Sequence, residues 1–398
     1  MAIKLKFNNV FALAFLGGLS SFSVVYAEGN SDRAPEATPA EVALSFRDIP
    51  VLEKAFIDTT PVAAEGSLAV GALGRDGGDK DAIVKLAQQI ADGEYGKVDS
   101  LLITHKGKLL FESYYRRGRI NLPHPQASAT KSYTSLILGR AIQMGYLTMA
   151  DLDKPLISFL PELDPTKFVE GAEKITLHKA LTMRGGLSID REEWEELEKN
   201  PAPLQGQGFV QTLLENSAPI TAESQGYLYG NFNTVMVMAV IDAVVPGTAR
   251  EFIETEILDK LEISNYNWET HISGLPHAGS TVSMTSRDML KWGSLVLNEG
   301  KWQGEQFIPA DYIAKATAGI VKPTQDWMPD IYRYGYYWYQ ADFAVGNKSY
   351  DTTLAWGGGG QRVIVVDELD LVIAMTAYGR GDTIMTGISN NVLPAFAQ

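Results

Sequence analysis

A serine and a lysine three positions apart, in the segment Ser128–Lys131, are the residues with the clearest chemical meaning in this sequence. Residues at this spacing share one face of a helix, so the Ser128 Oγ and the Lys131 Nζ can meet. A serine hydroxyl is a poor nucleophile until a base takes its proton. A lysine in an apolar pocket can be that base, because burial lowers its pKa from about 10.4. The same pattern also occurs by chance at a helix start with a solvated lysine, so it needs support from other motifs.

A tyrosine and an asparagine two positions apart, Tyr229 and Asn231, precede an apolar run that predicts a helix over 235–244. Tyr229 can relay a proton between a nucleophile and a leaving group, provided that a lysine ammonium lowers its pKa from about 10. The amide of Asn231 can hold Lys131 or a substrate carbonyl. A structural tyrosine and a helix-capping asparagine are the alternative for this pair taken alone.

A tryptophan followed by four glycines, Trp356 to Gly360, comes just before an apolar strand that starts near Arg362. Glycines at a strand edge allow another molecule to approach the backbone closely. Free backbone N–H groups at such an edge can form half of an oxyanion hole. A tight turn or a bulge is the alternative interpretation of the glycine run.

In this order and spacing, the three motifs resemble those of the serine β-lactamase and penicillin-binding-protein superfamily. The resemblance is strongest to the branch whose second motif is Tyr-x-Asn. That branch includes class C β-lactamases, D-alanyl-D-alanine carboxypeptidases, esterases and 6-aminohexanoate-dimer hydrolases. Further similar segments are Ile175–Leu187, Ser283–Asp288 and Gly358–Gln361. The resemblance covers about residues 80 to 396.

The resemblance implies a role for each residue that matches the first two motifs. Ser128 would be the acyl-enzyme nucleophile, and Lys131 would activate it. Tyr229 would be the general acid and base, and Asn231 would be the amide of the second motif. The backbone N–H of Ser128 would form one half of an oxyanion hole.

The third motif departs from the β-lactamase pattern, because it has no lysine to attract the carboxylate of an antibiotic. The resemblance implies that Trp356 and Gly357 bind substrate and that the Gly358 N–H completes the oxyanion hole. Indole has a large apolar face and a single N–H donor, so we expect Trp356 to favour uncharged or apolar acyl groups. The alternative is a Trp356 that points into the core of the sheet. Arg380, in a later loop, is a cation that could replace the missing lysine.

The elements that must position these residues predict an α+β fold of β-lactamase-like architecture. An antiparallel sheet built from both chain ends is flanked by helices, and a helical subdomain is inserted at roughly 128–290. The hydrophobic pattern places terminal helices and hairpins at 79–93, 98–115, 362–375 and 387–396. Residues 28–78 are expected to be a linker or N-terminal extension, and the domain is expected to span 79–398. A cleft between the two parts is the expected place for a site.

The N-terminus has the pattern of a secretory signal peptide over residues 1–27. Lys4 and Lys6 precede the apolar stretch Val10–Leu19, and Val25–Ala27 has small residues at the spacing of a cleavage site. We expect a periplasmic or secreted protein that lacks a stable membrane insertion after cleavage, with an uncleaved anchor as the alternative. The net charge of −14 disfavours nucleic acid and anionic membrane surfaces as partners.

The motifs together favour a serine hydrolase that cleaves a small ester, amide or peptide through an acyl-serine intermediate. We expect an esterase or an amide or oligomer hydrolase rather than a true β-lactamase. A D-alanyl-D-alanine carboxypeptidase or β-lactamase stays open, as does a non-catalytic protein that binds peptidoglycan or another ligand. No cofactor or metal is expected, and the five histidines are left out of the site. The physiological substrate and the oligomeric state stay open.

Overall fold

The centre of the fold is a β-sheet, seen in a computed structural model that describes residues 33–64, 66, 68–379 and 383–397. The strands are β1 (Phe56–Asp58), β2 (Ala69–Val70), β3 (Val98–His105), β4 (Lys108–Tyr114), β5 (His124–Pro125), β6 (Tyr266–Trp268), β7 (Val282–Met284), β8 (Lys301–Trp302), β9 (Glu305–Gln306), β10 (Arg333–Tyr334), β11 (Tyr339–Val345), β12 (Lys348–Gly357), β13 (Gln361–Val366) and β14 (Leu371–Ala377). Within the described residues, nine strands form one sheet in the order β1-β4-β3-β14-β13-β12-β11-β10, with β2 beside β4. The two chain ends meet in its middle, because β3 pairs antiparallel with β14. The predicted sheet from both ends is therefore confirmed.

Helices surround this sheet and fill the middle of the chain. They are α1 (Pro39–Val42), α2 (Lys80–Ala91), α3 (Ala129–Gln143), α4 (Leu177–Leu181), α5 (Arg191–Glu198), α6 (Gly208–Asn216), α7 (Phe232–Val244), α8 (Ala249–Ile253), α9 (Ser286–Leu297), α10 (Ala310–Thr317), α11 (Thr383–Gly387) and α12 (Leu393–Phe396). A π-helical turn, Ile388–Val392, joins α11 to α12. The helices predicted at 79–93 and 387–396 are thus present as α2 and as this C-terminal segment.

The core of the sheet explains why β13 and β14 read as continuous apolar runs. Side chains along a strand alternate between the two faces, yet every residue of both strands is buried. Both faces of the sheet are therefore covered, and α9 packs against β3, β13 and β14 on one of them. The predicted hairpin over 362–375 is confirmed by the antiparallel pairing of β13 with β14.

The sheet begins before residue 79, where the sequence placed the start of the domain. β1 pairs antiparallel with β4, and β2 pairs with the same strand in parallel. Strands of two or three residues are too short to show a period of two, so the sequence carries no signal for them. The predicted signal peptide, residues 1–27, and the first residues of the predicted linker lie outside the described residues.

A second, three-stranded sheet leads into the Ser128 motif and was not predicted. Its order is β5-β7-β6, and both pairs are antiparallel. β5 ends three residues before Ser128, so β7 fixes the direction from which the chain enters α3.

In the part of the chain that the structure describes, no single helix is long and apolar enough to span a membrane. The bent helix pair Phe232–Val244 and Ala249–Leu258 has, taken together, the length and composition of a membrane span.

Candidate active site

Ser128 lies at the turn that starts α3, and its side chain is half-buried. The turn is held by Gln126, whose N–H donates to the Val282 carbonyl at 2.7 Å and whose Oε1 accepts from the Tyr133 hydroxyl at 2.9 Å. Ala127 has a φ of +47°, a left-handed conformation that costs a residue with a side chain about 1–2 kcal/mol. This strain is maintained by the contacts around it and presents Ser128 at the helix start.

Lys131 lies one turn further along α3, as its spacing from Ser128 predicted. Its Nζ donates to the Ser128 Oγ at 3.3 Å and to the Gly279 carbonyl at 2.7 Å. The side chain is only 2% exposed, and this burial lowers the pKa of Lys131 to about 7. A large fraction of the lysine is therefore neutral at neutral pH, and it points directly at the serine hydroxyl.

Tyr229 completes a triangle with these two residues. The Lys131 Nζ lies 5.0 Å from the centre of the Tyr229 ring. Burial raises the pKa of Tyr229, while hydrogen bonds with the Ser128 and Tyr339 side chains act in the opposite direction. The condition set for proton relay, a pKa of Tyr229 lowered by a lysine ammonium, is not met in the resting site, because burial outweighs the lowering interactions. Tyr229 is a neutral phenol there and can donate its proton.

Asn231 lies at the start of α7 and is exposed, and its side chain does not hold Lys131. Within the described residues, Lys131 donates its side-chain hydrogen bonds to Ser128 and Gly279 instead. The Asn231 Oδ1 approaches Gly279 so closely that a Cβ there would lie 2.8 Å away. Asn231 therefore reaches the lysine only through the segment that carries the Gly279 carbonyl, and its amide stays available for a substrate carbonyl.

The glycines after β12 lie beside the Ser128 turn. A Cβ on Gly357 would overlap the carbonyl oxygen of Gln126, so only glycine allows this approach. Gly358 is exposed and faces open space. The Gln361 Nε2 donates to the carbonyls of Gly358 and Ala377, at 3.4 and 2.7 Å, and so fixes the loop.

Two backbone N–H groups remain open at this junction. In the described part of the chain, neither the Ser128 N–H nor the Gly358 N–H donates to a protein acceptor. They are the two groups that the sequence expected to form an oxyanion hole. Donors without an internal partner beside a nucleophile are free to bind a developing negative charge.

Trp356 belongs to an aromatic cluster that reaches the catalytic triangle. Its half-buried ring lies 5.1 Å from Tyr332, 5.3 Å from Tyr339 and 5.8 Å from Trp327, measured between ring centres. Tyr339 in turn packs against Tyr334 at 4.7 Å, and the Tyr334 ring lies 6.3 Å from that of Tyr229. Trp356 thus shares a surface with the proposed acid and base, rather than lying in the sheet core.

A buried cation packs against the Trp356 ring. Arg362 is directly opposite Trp356 in the pairing of β12 with β13, and its guanidinium carbon is 4.0 Å from the indole ring centre. It is 1% exposed, and its Nη1 donates to the carbonyls of Gly357 and Gln361 at 3.1 and 2.9 Å. Arg380, the other candidate cation, lies outside the described residues.

The histidines hydrogen-bond to groups other than the Ser128 hydroxyl. The His277 Nδ1 accepts from the Gly279 N–H at 3.4 Å, and both burial and the nearby Lys131 lower the pKa of His277. The His178 Nδ1 pairs with the Tyr336 hydroxyl at 2.7 Å. No group of three or more His, Asp or Glu side chains within the described ranges could hold a metal ion.

The geometry agrees with a comparison with known families. A family model described as Beta-lactamase matches residues 88–383, and the chain belongs to that family. It is thus a member of the serine hydrolase superfamily of β-lactamases and penicillin-binding proteins. The comparison with curated proteins gave no match.

Solved structures share the fold at low sequence identity. A protein described as a 6-aminohexanoate-dimer hydrolase from Bacillus anthracis has a TM-score of 0.56 and 18% identity, over 77% of this chain and 80% of the other. A class C β-lactamase variant has a TM-score of 0.59 and 15% identity, over 79% and 96%. A D-stereospecific amidohydrolase from Streptomyces sp. has a TM-score of 0.57 and 16% identity, over 78% and 98%. At such identities the comparison establishes the fold, and the substrate has to be argued from the site.

Proposed function

We propose that this protein is an exported serine hydrolase that cleaves ester or amide bonds through an acyl-Ser128 intermediate. One observation carries the proposal: a buried lysine with a pKa of about 7 donates to the serine hydroxyl at 3.3 Å. The Tyr229 ring, 5.0 Å from the same nitrogen, supplies a proton donor for the leaving group. Export rests on the signal-like N-terminus and is tested by the mass of the mature chain, expected to start after about Ala27.

Acylation begins when neutral Lys131 accepts the Ser128 proton and Oγ attacks the substrate carbonyl. The N–H groups of Ser128 and Gly358 hold the resulting oxyanion, and loss of one such donor typically costs about 10²–10³ in rate. Tyr229 then gives its proton to the departing oxygen or nitrogen. Lys131 is now an ammonium and Tyr229 a phenolate, so their closeness stabilises both charges.

Deacylation returns each group to its starting state. The Tyr229 phenolate takes a proton from water, and the resulting hydroxide attacks the acyl carbonyl. The Ser128–acyl bond breaks, the acid leaves, and Lys131 returns its proton to the Ser128 Oγ. No proton is left over, so the cycle needs no cofactor.

Labelling with a fluorophosphonate and turnover of p-nitrophenyl esters test the nucleophile. We expect both in the wild type and neither in Ser128→Ala. Ser158→Ala, which changes an exposed serine elsewhere, is the matched control and should behave as the wild type. Equal labelling or turnover in the wild type and in Ser128→Ala would exclude Ser128 as the nucleophile.

We further propose a preference for uncharged or apolar acyl groups over anionic ones. Trp356 occupies the strand position where the related β-lactamases carry lysine, and its neighbours are aromatic. The test compares Trp356→Lys with the wild type on a neutral ester and on a chromogenic cephalosporin. We expect the cephalosporin to gain relative to the ester, and an unchanged ratio would show that Trp356 does not set charge selectivity.

A substrate panel separates the remaining functions. It comprises neutral esters, short amide oligomers, D-alanyl peptides and a cephalosporin, each measured as kcat/KM. The highest value on esters or amide oligomers would support the proposal, whereas the highest value on D-alanyl peptides would identify a carboxypeptidase. A binding protein would instead be identified if peptidoglycan fragments raised the melting temperature while mass spectrometry detected no acylated protein.

A further inference from the structure

Trp327 is a large apolar side chain that the proposed reaction leaves without a role, and it is 63% exposed. It lies in the loop 322–332, which the Thr324 hydroxyl ties to the Tyr227 carbonyl at 3.3 Å. Tyr227 is two residues from Tyr229, so this loop is anchored directly on the second motif. Tryptophan side chains are enriched at binding surfaces, where they supply a large apolar face.

The ring of Trp327 meets that of Trp356 almost at a right angle. Their centres are 5.8 Å apart and their planes differ by 80°. Two indoles in this arrangement, here called the indole corner, present one flat face and one edge to anything placed against them. Aromatic rings prefer offset-stacked and edge-to-face neighbours, so a third ring can satisfy both preferences at once.

The charges around the corner favour a neutral ligand. In the loop 322–332, Lys322 pairs with Asp330 at 2.7 Å and Asp326 is exposed, so the loop carries a net negative charge. Among the described residues, Arg362 packs against the Trp356 ring and is only 1% exposed. A carboxylate on the substrate would therefore meet repulsion at the loop and no exposed cation at Trp356 within the described residues.

We propose that the indole corner binds a flat apolar or aromatic group on the acyl side of the substrate, with Trp327 as a specificity-determining residue. The acyl side follows from Trp356, which lies on the strand that ends beside the Ser128 turn. The inference rests on the proposed function and names its substrate class: esters or amides of an aryl-bearing or similarly flat acid. Trp327 acts through contact with the substrate and takes no part in proton transfer.

The test measures kcat/KM for two vinyl esters that share one leaving group, vinyl acetate and vinyl 3-phenylpropanoate, by titration of the released acid. The readout is the ratio of the second value to the first. We expect this ratio to fall about tenfold in Trp327→Ala, which corresponds to about 1.4 kcal/mol. Trp327→Phe should retain most of the ratio, because it keeps a ring, whereas Trp327→Leu should lose it.

Val62→Ala is the matched control, because Val62 is an apolar side chain that is 68% exposed, and its ratio should equal that of the wild type. A fall confined to Trp327→Ala and Trp327→Leu supports the corner. An unchanged ratio in Trp327→Ala overturns it, and a retained ratio in Trp327→Leu overturns the requirement for a flat ring.

A second measurement separates failure of this inference from failure of the proposed function. Binding of ethyl 3-phenylpropanoate to Ser128→Ala, measured by calorimetry, requires no turnover. Adding Trp327→Ala to this variant should weaken binding about tenfold, again about 1.4 kcal/mol. Equal affinity of the two variants would overturn the corner even if the wild type hydrolyses esters. Absence of turnover in the wild type would refute the serine hydrolase alone.

Discussion

The burial of Lys131 predicts the pH at which acylation becomes fast. With a pKa of about 7, the lysine is about half neutral at pH 7 and about 1% neutral at pH 5. In the proposed mechanism the neutral amine is the base for Ser128, so kcat/KM should rise about tenfold per pH unit up to pH 6 and level off above pH 8. At the ordinary lysine pKa of 10.5, only about 0.03% would be neutral at pH 7, and the rate would keep rising to pH 10.

The other titratable groups at the site do not imitate this profile. The pKa of His277 is lowered by burial and by Lys131, so its titration falls below its ordinary 6.5. The pKa of Tyr229 is raised by burial from 10.0, so the phenol stays neutral across the range. A midpoint near pH 7 therefore belongs to Lys131, and His277→Gln should leave it in place.

The assay is the hydrolysis of p-nitrophenyl acetate between pH 5 and 10 at constant ionic strength. Ser128→Ala measured at each pH gives the background, and Lys131→Arg, which stays cationic, should be inactive throughout. A wild-type profile that is flat from pH 5 to 8 would refute a lysine base. A profile that still climbs tenfold per unit from pH 8 to 10 would refute the lowered pKa.

Three further predictions follow from packing and charge. Gly357→Ala should lower both the melting temperature and ester kcat/KM, because its Cβ would overlap the Gln126 carbonyl; an unchanged melting temperature would mean that the strand end can shift. Glu112→Gln should cost about 3 kcal/mol in denaturant unfolding, because it breaks a buried bidentate pair with Arg287 at 2.6 and 2.9 Å. Between pH 7 and 10.5, Lys131 keeps its proton in the unfolded chain and loses it in the folded chain. The free energy of unfolding should therefore rise across that window by up to about 1.4 kcal/mol per pH unit. Lys131→Met should remove this rise, measured by unfolding at pH 7 and 9.

The sequence predicted those parts of the fold and site that depend on local spacing. The serine and lysine of α3 meet because a separation of three residues puts them on one helix face. The hairpin β13–β14 follows from two apolar runs separated by a short polar turn. Both inferences need only a periodicity and a boundary, and both are present in the local sequence.

Other parts depend on contacts that no local pattern records. The acceptor that holds Lys131 is the backbone carbonyl of Gly279, 148 positions away in the sequence. Every residue has such a carbonyl, so the sequence offered only the Asn231 amide as a candidate to hold the lysine, with a substrate carbonyl as its other role. The meeting of Trp327 with Trp356 likewise depends on how the loop 322–332 is anchored, and β1 and β2 are too short for a pattern to show.

The third motif has no lysine, but the neighbouring strand carries a cation, Arg362. Arg362 keeps a positive charge on the neighbouring strand, but its guanidinium is buried against the Trp356 indole and donates to the carbonyls of Gly357 and Gln361. A charge held in this way stabilises the end of β12, whose next residue supplies the Gly358 N–H. An exposed charge beside the indole would instead attract a substrate carboxylate. We therefore propose that the burial of Arg362, rather than the lack of a cation near the third motif, underlies the preference for uncharged acyl groups.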